Sequence, residues 1–420
     1  MRTVNREQLA NGLRLAVVPI PDLRSTAVLL AVEAGQWFEP VGRSGVARLV
    51  AQSMLRGTRQ RSMSDWSDAL DALGAVARLD VGAHAAVFSA QCLADDLAAL
   101  LGLVAEAVRT PALADAEIEF VRGQTLSRLE KDERDTRAVS DRAWRQLVYP
   151  EVHPFHARPI GEESVVRGAT PDEIRAYHRT AIAPDGAVLV VAGGASIAQA
   201  RDAADRAFSE WPRRRERTAA SYPLVALAAT KRRVELVPDK TQSDVVIGWP
   251  GLPRNDPRFV AARVTNMVYA ADTFASRAGN VIRDQLGLAY YVFSAIGASR
   301  GQSPWTVRMG VNPQNVRRAV EVALDELRKV TVGDIADDDL ALAKDKLVGE
   351  LDVALESPGG VAAMVMEAEM FDLGADHHER YPRELRAVTK DQVIATAREF
   401  LHPERYALAV AGPPLPETLV

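Results

Sequence analysis

Residues 170–193 read TPDEIRAYHRTAIAPDGAVLVVAG, and residues 389–412 read TKDQVIATAREFLHPERYALAVAG. The two stretches agree at their ends, Thr170 with Thr389 and Gly193 with Gly412, and at seven positions between them. Every match falls at one offset, since 389 − 170 = 219 and 412 − 193 = 219. An ordered series of matches at a single offset is typical of an internal duplication. We therefore predict two copies of one domain.

Each copy of this stretch predicts a helix, a turn and a strand. A threonine stands at the N-cap position of each helix, and a proline, Pro184 or Pro403, marks the turn that follows. The last residues are apolar and stop at a glycine, which is typical of a buried strand. The same offset matches Val18-Pro19 with Val237-Pro238, and we predict that each of these pairs closes the first strand of its half.

The boundary between the halves is predicted from a change in composition after Trp211-Pro212. A short basic run, Arg213 to Arg217, is interpreted as a solvated linker, and a polar, turn-rich stretch follows it. The sequence thus divides into an N-terminal domain, residues 1–212, a linker, residues 213–229, and a C-terminal domain, residues 230–420.

Strands and helices are mixed within each half and do not alternate strictly. In the first half we predict strands at 13–19, 26–34, 75–80 and 84–92, and helices at 45–55, 64–73, 95–109 and 114–131. Paired strands and runs of helices are typical of the α+β class. The predicted fold is two homologous α+β domains, each an antiparallel-rich sheet covered by helices on one face.

Composition excludes several function classes. The 420 residues include 47% hydrophobic and 25% charged residues, as in ordinary globular proteins. A net charge of −5 argues against a nucleic-acid or anionic-membrane partner. No apolar run is long enough for a membrane span. Cys92 is the one cysteine, which excludes an intrachain disulfide, and its alternating surroundings predict a buried thiol.

The first residues, Met1 to Arg6, lack the apolar core of a secretory signal. The expected compartment is therefore the cytoplasm by default, or the periplasm if a leader peptide has been removed.

The stretch GVARLVAQSMLRGT, residues 45–58, resembles a helix of the pitrilysin/insulinase family of zinc metallopeptidases. In that family the helix carries His-x-x-Glu-His, in which the two histidines hold zinc and the glutamate activates the bound water. Arg48, Ala51 and Gln52 occupy those three positions here, within a frame that still fits.

The family's third zinc ligand is a glutamate on a later helix. The best alignment places Arg128 at that position, 76 residues beyond Gln52 (128 − 52 = 76). A guanidinium repels a divalent ion by several kcal/mol at about 4 Å and an effective dielectric constant near 20. The resemblance therefore implies a metal site that has degenerated, with no zinc and no other cofactor in this chain.

A second motif of the family is retained in the other half. The stretch IRDQLGLAYYVFS, residues 282–294, resembles a helix-to-strand motif whose arginine and tyrosine hold the substrate backbone beside the scissile bond. By position these residues are Arg283 and Tyr290. A guanidinium and a phenol can both donate to a carbonyl oxygen that gains charge in the transition state. Tyr291 is expected to lie on the other face of the sheet, in the core.

Two histidine clusters are not expected to bind metal. His153 and His156 belong to a structural loop by the resemblance. His377-His378-Glu379, which follows Gly374, is interpreted as a solvated loop.

In this family the retained motif acts opposite a metal-bearing domain. The resemblance therefore implies a non-catalytic, substrate-binding subunit, as in the bacterial group that resembles processing peptidases. Its expected partners are a homologous catalytic chain, which carries His-x-x-Glu-His and zinc in a heterodimer, and a peptide or unfolded polypeptide. The alternative is a structural core subunit without a peptidase role. Retention of Arg283 and Tyr290 favours the first hypothesis. A catalytic role unrelated to zinc is not favoured, because the sequence shows no nucleophile–base pair.

Overall fold

The computed structural model describes residues 3–213 and 222–416. Of the basic run that was interpreted as a linker, only Arg213 lies among the described residues. Residues 222–229 of the expected linker contain neither helix nor strand.

The first half of the chain contains six strands and eight helices among the described residues. In order they are β1 Asn5–Gln8, β2 Arg14–Pro19, β3 Ser25–Val32, α1 Val46–Met54, α2 Met63–Ala72, β4 Val76–Val81, β5 Ala86–Leu93, α3 Leu97–Arg109, α4 Asp115–Asp132, α5 Thr136–Val148, α6 Glu163–Gly168, α7 Pro171–Ala181, β6 Val188–Gly193 and α8 Ile197–Phe208.

The second half repeats much of this order. Its elements are β7 Lys231–Leu236, β8 Ser243–Pro250, α9 Phe259–Tyr269, α10 Arg277–Gly279, a π-helix Asn280–Gln285, β9 Ala289–Ile296, β10 Pro304–Val311, α11 Val316–Val332, α12 Asp337–Leu355, α13 Pro358–Met370, α14 His377–Ala387, α15 Lys390–Phe400 and β11 Ala407–Gly412.

Local sequence explains where many helices begin. The hydroxyls of Thr170 and Thr389 accept hydrogen bonds from the first-turn amides of α7 and α15, as N-cap residues do. Ser62 caps α2 and forms a capping box with Asp65. The N-terminus of α1 is different, because Glu39 accepts hydrogen bonds from the backbone amides of Gly45 and Ala47, both at 2.8 Å.

Two sheets form, and both are largely antiparallel. The first has the strand order β1-β2-β6-β3-β5-β4, and the second has the order β7-β11-β8-β10-β9. Each sheet contains one parallel pair, β2 with β6 and β7 with β11, which are equivalent in the repeat. This arrangement confirms the predicted α+β class with two homologous sheets.

The offset of 219 is not constant along the chain. It relates β6 to β11, but Pro19 pairs with Gly193 whereas Leu236 pairs with Gly412, which makes the offset of the first strand 217 (236 − 19 = 217). The predicted match of Val18-Pro19 with Val237-Pro238 is therefore wrong by two residues. The second strands keep the offset of 217, because Ala27 pairs with Ala192 and Asp244 pairs with Ala411 (244 − 27 = 217), so the difference arises after them.

Helices pack on both faces of each sheet. The sequence predicted helices on one face only. In the first sheet one face packs on the main core and the other face packs on α13, through Val361, Ala362, Val365 and Met366. The second face of that sheet is built from small residues of β2, β3 and β6, and these leave room for the helix.

The second sheet receives α5 in the same way. Trp144 of α5 packs directly on the sheet, where a Cβ atom on Gly248 would come within 2.8 Å of the indole. Asp141 joins the helix to the sheet because it accepts hydrogen bonds from Arg145 on α5 and from Arg308 on β10. Burial would raise the pKa of Asp141, but these two guanidiniums outweigh it and lower the pKa.

The helices α5 and α13 occupy equivalent places in the repeat, and each packs on the sheet of the other half. The chain accordingly forms two compact units. The first comprises Met1–Leu129, Arg158–Ala220 and Asp352–His378, and the second comprises Glu130–Ala157, Ser221–Leu351 and Glu379–Val420. The compact units therefore differ from the repeat units. The helix α5, from the first half of the sequence, belongs to the second compact unit, and α13, from the second half, belongs to the first.

The histidine cluster near the end of the chain does not lie in a solvated loop. His377 begins α14 and is buried, so that interpretation is wrong. In the part of the chain that the structure describes, no helix is both long and apolar enough to cross a membrane.

Candidate functional site

The helix α1 carries the three residues that the resemblance assigns to the metal positions. Ala51 is buried, and Arg48 and Gln52 are half-buried. The side-chain amide of Gln52 donates to the carbonyl of Leu79 on the edge strand β4, at 3.0 Å. Gln52 therefore makes a structural hydrogen bond at the position where a ligand nitrogen would be required.

Arg128, at the fourth position, lies on the exposed side of α4, next to the buried Leu129. Two guanidiniums, a methyl group and an engaged amide do not fit a zinc ion, which takes thiolate, imidazole or carboxylate ligands. Among the residues that the structure describes, no group of three or more His, Cys, Asp or Glu side chains is placed to hold a metal ion. The chemistry of this helix pair is not that of a metal centre.

The Arg/Tyr motif lies in the second unit, where a helix meets the edge of the second sheet. Arg283 lies in the π-helix that continues from α10, and Tyr290 lies at the start of β9. Between them Gly287 has φ +61° and turns the chain from the helix into the strand. π-Helical turns are rare and are frequent at functional sites.

A β-bulge places Tyr290. In the pairing of β9 with β10, Gly310 is opposite Tyr291 and Val311 is opposite Ala289, so Tyr290 has no partner of its own. The extra residue of a bulge leaves the ladder and re-aims its side chain. The Tyr290 side chain is accordingly 78% exposed, and no described residue hydrogen-bonds its hydroxyl.

Arg283 holds the bulge from the side of the helix. Its Nε donates to the main-chain carbonyl of Tyr290 at 3.3 Å, and its Nη1 donates to Asp284 at 2.6 Å. The guanidinium also lies over the ring of Phe274, 4.5 Å from its centroid, which restricts its orientation. The remaining nitrogen, Nη2, donates to no residue in the described part of the chain. One donor of Arg283 and the hydroxyl of Tyr290 thus remain available.

The loop before the π-helix is anchored by charged groups on α12. Asp272 accepts from the backbone amides of Phe274 and Ala275, each at 2.8 Å, and pairs with Lys346 at 2.6 Å. Burial of Asp272 would raise its pKa, but Lys346 and the two amides lower it. Downstream, Arg277 pairs with Asp339 on α12 at 2.7 Å. Both ends of the loop that carries Phe274 are therefore fixed to one helix.

Tyr291 differs from its neighbour because it is paired in the ladder. Its ring covers the backbone of Gly310, where a Cβ atom would lie 2.5 Å away. Its hydroxyl donates to the buried Asp244, and burial and this carboxylate raise its pKa. Tyr291 is half-buried and belongs to the packing between β9 and α5, as Arg137 of α5 lies 4.4 Å from its ring.

The outer edge of β9 is closed by its own chain. Besides the bond from Arg283, the Thr273 hydroxyl donates to the carbonyl of Val292 at 2.8 Å. Ser294 donates its amide to Ala270 and accepts at its carbonyl from Asn266. The outward carbonyls of Tyr290, Val292 and Ser294 are thus already bonded, and an added strand could not form a regular ladder with them. A ligand at this site must therefore be held by side chains, of which Tyr290 and Arg283 are the polar ones.

Sequence reasoning missed the residues that shape this site. Phe274 and Leu286 are exposed apolar side chains on the same segment, and Asp272 fixes it. A signal was present for part of this, because Asp272 and Ser276 are four residues apart and are typical of a turn that leads into a capped helix. The contact with Lys346 spans 74 residues and has no local signal.

The chain matches one peptidase family over most of its length. Residues 15–150 match the family described as insulinase (peptidase family M16), and residues 168–347 match the peptidase M16 inactive domain. A zinc protease of Streptomyces coelicolor, described as uncharacterised, is 26% identical over 422 residues, which cover 98% of this chain and 90% of that protein. The beta subunit of the mitochondrial-processing peptidase of Saccharomyces cerevisiae is 20% identical over 424 residues, which cover 96% of this chain and 90% of that one.

Solved structures show the same fold. A Pseudomonas fluorescens protein described as a peptidase M16 inactive domain superposes with a TM-score of 0.92 at 20% identity, over 99% of both chains. A protease from Helicobacter pylori superposes with a TM-score of 0.90 at 18% identity, over 98% of this chain and all of that one. These comparisons confirm the family resemblance and the fold that it implied.

Proposed function

We propose that this chain, which belongs to the insulinase family of peptidases (M16), is the non-catalytic, substrate-binding subunit of a two-chain zinc endopeptidase. Its substrate is an extended peptide or an unfolded polypeptide. Its partner is a homologous chain that carries His-x-x-Glu-His and supplies the zinc and the bound water.

The observation that carries this proposal is the exposed Tyr290, placed by a bulge and backed by Arg283. A bulge leaves a ladder position unpaired, and a strand that served only to complete a sheet would gain nothing from it. The exposed hydroxyl and the available Nη2 are two donors, and a polypeptide backbone offers carbonyl acceptors at every residue.

The proposed division of labour follows from the residues present. The helix α1 lacks every group that would bind zinc or activate water, so the hydrolytic step belongs to the partner. Arg283 and Tyr290 contribute donors that strengthen as the scissile carbonyl gains negative charge. A rigid loop helps, because donors that are already fixed in place need no reorganisation during the reaction.

Reconstitution tests the proposal. The chain is co-expressed with a His-x-x-Glu-His homologue from the same organism, and peptide cleavage is measured for each chain and for the mixture. We expect a stable complex whose turnover exceeds that of the catalytic chain by at least about a hundredfold, the size of one lost transition-state donor. Equal turnover with and without this chain would contradict the proposed role. A stable complex that never cleaves peptides would favour a structural core subunit.

A further inference from the structure

The two edges of the second sheet are unlike each other. The edge at β9 is bonded by its own chain along its outward carbonyls, whereas β7, at the opposite edge, has no strand on its outer side among residues 3–213 and 222–416. Lys231 donates its amide to Tyr406, and Val237 donates to Gly412, so odd-numbered residues face the neighbouring strand β11. The N–H and C=O groups of Arg232, Val234 and Leu236 point outward by alternation, and no described residue bonds to them. These three residues are the open edge.

The corresponding edge of the first sheet is covered. There β1 pairs antiparallel with β2, from Asn5 opposite Val17 to Gln8 opposite Arg14. At the offset of 217 that relates β2 to β7, the residues equivalent to 5–8 are 222–225. They lie elsewhere, because Val225 exchanges two hydrogen bonds with Gln302, at 2.6 and 3.2 Å, and the ring of Tyr222 lies 5.1 Å from that of His153. In the part of the chain that the structure describes, the second sheet therefore has no counterpart of β1.

The open edge is partly apolar. Val234 is 50% exposed and Leu236 is 64% exposed, and both lie on the face opposite α5. On the α5 face, Lys231 donates to the carbonyl of Leu147 and Arg233 donates to Gln146. The edge therefore offers outward backbone groups and two exposed aliphatic side chains, which are what an added strand requires.

We propose that the occupant of this edge is a second copy of the chain, which joins its own β7 antiparallel across Val234. In that register Val234 faces Val234, and Arg232 faces Leu236. All of these residues point their backbone groups outward, so each pair exchanges two N–H···O=C bonds and the two sheets become continuous. The contact is isologous, because one twofold axis passes between the two Val234 residues.

The charged side chains favour this register. With Val234 opposite Val234, Arg233 of one copy lies opposite Glu235 of the other, and the twofold axis generates the same pair a second time. The two residues already pair within one strand at 2.5 Å, so the two copies bring together alternating charges on the α5 face. Lys231 faces the apolar Val237. No like charges stand directly opposite each other, an arrangement that would destabilise the pairing.

Self-association of the full chain, followed by sedimentation velocity across the micromolar range, tests the proposal. We expect the wild type to pass from one copy to two as its concentration rises. Arg233→Glu and Glu235→Arg each place like charges opposite one another. Each variant should raise the dissociation constant of the dimer by about tenfold or more. The double variant R233E/E235R restores the opposite charges and the dimer. A mixture of the two single variants also restores it, as heterodimers.

Two further variants separate pairing from folding. Val234→Pro removes an outward N–H that β11 does not use, so the fold is kept and the dimer is lost. Asp202→Arg reverses an exposed charge on α8 and leaves the dimer unchanged. A wild type that stays monomeric overturns the proposal. So does a double variant that dimerises no better than either single variant although its circular dichroism is native.

Discussion

The Nε of Arg283 donates to the main-chain carbonyl of Tyr290, the bulged residue of β9, at 3.3 Å. The arginine thus holds the backbone at the bulge from which the tyrosine side chain projects, and the two residues are structurally coupled. Residues that share a hydrogen bond do not contribute independently when they are substituted. Under the proposed function, this coupling is measurable as the activity of the reconstituted two-chain enzyme.

Tyr290→Phe in the reconstituted two-chain enzyme removes one donor and keeps the ring. We expect kcat to fall about a hundredfold, since the loss of one preorganised donor costs on the order of 3 kcal/mol. Arg283→Ala should be at least as severe, because it removes a donor and releases the bulge. The double variant should be little worse than Arg283→Ala alone. Assembly of each variant is checked by size exclusion, and full activity in an intact complex would show that the pair is structural.

The chain alone should take up no stoichiometric zinc, because Arg48 and Arg128 repel the ion and Gln52 is engaged with Leu79. The quadruple variant R48H/A51E/Q52H/R128E supplies a full ligand set and should bind about one ion per chain. The triple variant that keeps Arg128 is the matched control and should bind more weakly. The zinc content of the wild type, the quadruple variant and the triple variant is measured by metal analysis after dialysis. One zinc ion on the wild-type α1 helix would contradict the degenerate site.

Glu39 should make stability fall as pH rises. Burial raises the pKa of this carboxyl from 4.5 to about 7, although the Gly45 and Ala47 amides partly oppose the rise. A raised folded pKa means that the stabilisation is complete below pH 4.5 and is lost as pH passes 7. At 1.36 kcal/mol for each pKa unit, the loss is about 3 kcal/mol.

Glu39→Gln keeps an oxygen for both amides and cannot ionise. We therefore expect its denaturant midpoint to match the wild type near pH 4.5 and to exceed it above pH 7. Parallel pH profiles for the two proteins would show that Glu39 does not titrate in this range.

Asp141 should be a stability determinant of the second unit. Asp141→Asn leaves Arg145 and Arg308 without their carboxylate, and the loss of one partner from a largely buried pair costs about 2–4 kcal/mol at neutral pH. The pKa of Asp141 is lowered from 3.8, so its contribution is present above that pH and is lost as pH falls through the folded value.

The difference between wild type and Asp141→Asn in thermal unfolding should therefore shrink in acid. The matched control is Asp325→Asn on α11, whose exposed pair with Arg328 should contribute less than about 1 kcal/mol. A control that costs as much as Asp141→Asn would argue against the burial of the Asp141 cluster as the cause.

The exchanged helices predict how the chain responds to division. A fragment of residues 1–212 keeps α5 without its sheet and lacks α13, which covers the second face of its own sheet. We expect this fragment and the fragment 213–420 to be poorly folded alone and to recover native circular dichroism when they are co-expressed. Cooperative unfolding of the isolated fragment 1–212 would show that the exchange is dispensable.

Much of the fold was predictable because its signals are local. The N-caps Thr170 and Thr389, the turn prolines and the apolar strands act within a few residues of one another, and they identified the duplication. The prediction of a degenerate metal site also rests on local signals, because Arg48, Ala51 and Gln52 lie within a single helix, and it stays a prediction. The bounds 1–212 and 230–420 describe the repeat and stay a prediction. The compact units depend on packing that no short stretch encodes.

The sequence by itself determined which residue types stand at the predicted metal positions and at the predicted substrate-binding positions, since these follow from the order of residues alone. Only the tertiary structure decided that α5 and α13 each pack on the sheet of the other half, that Tyr290 has no partner in its ladder, and that no described strand covers the outer side of β7. Each of these depends on contacts between residues that are far apart in the chain, such as Trp144 with Gly248. A bulge is a property of two paired strands, and an open edge is a property of a whole sheet, so neither exists until the chain has folded.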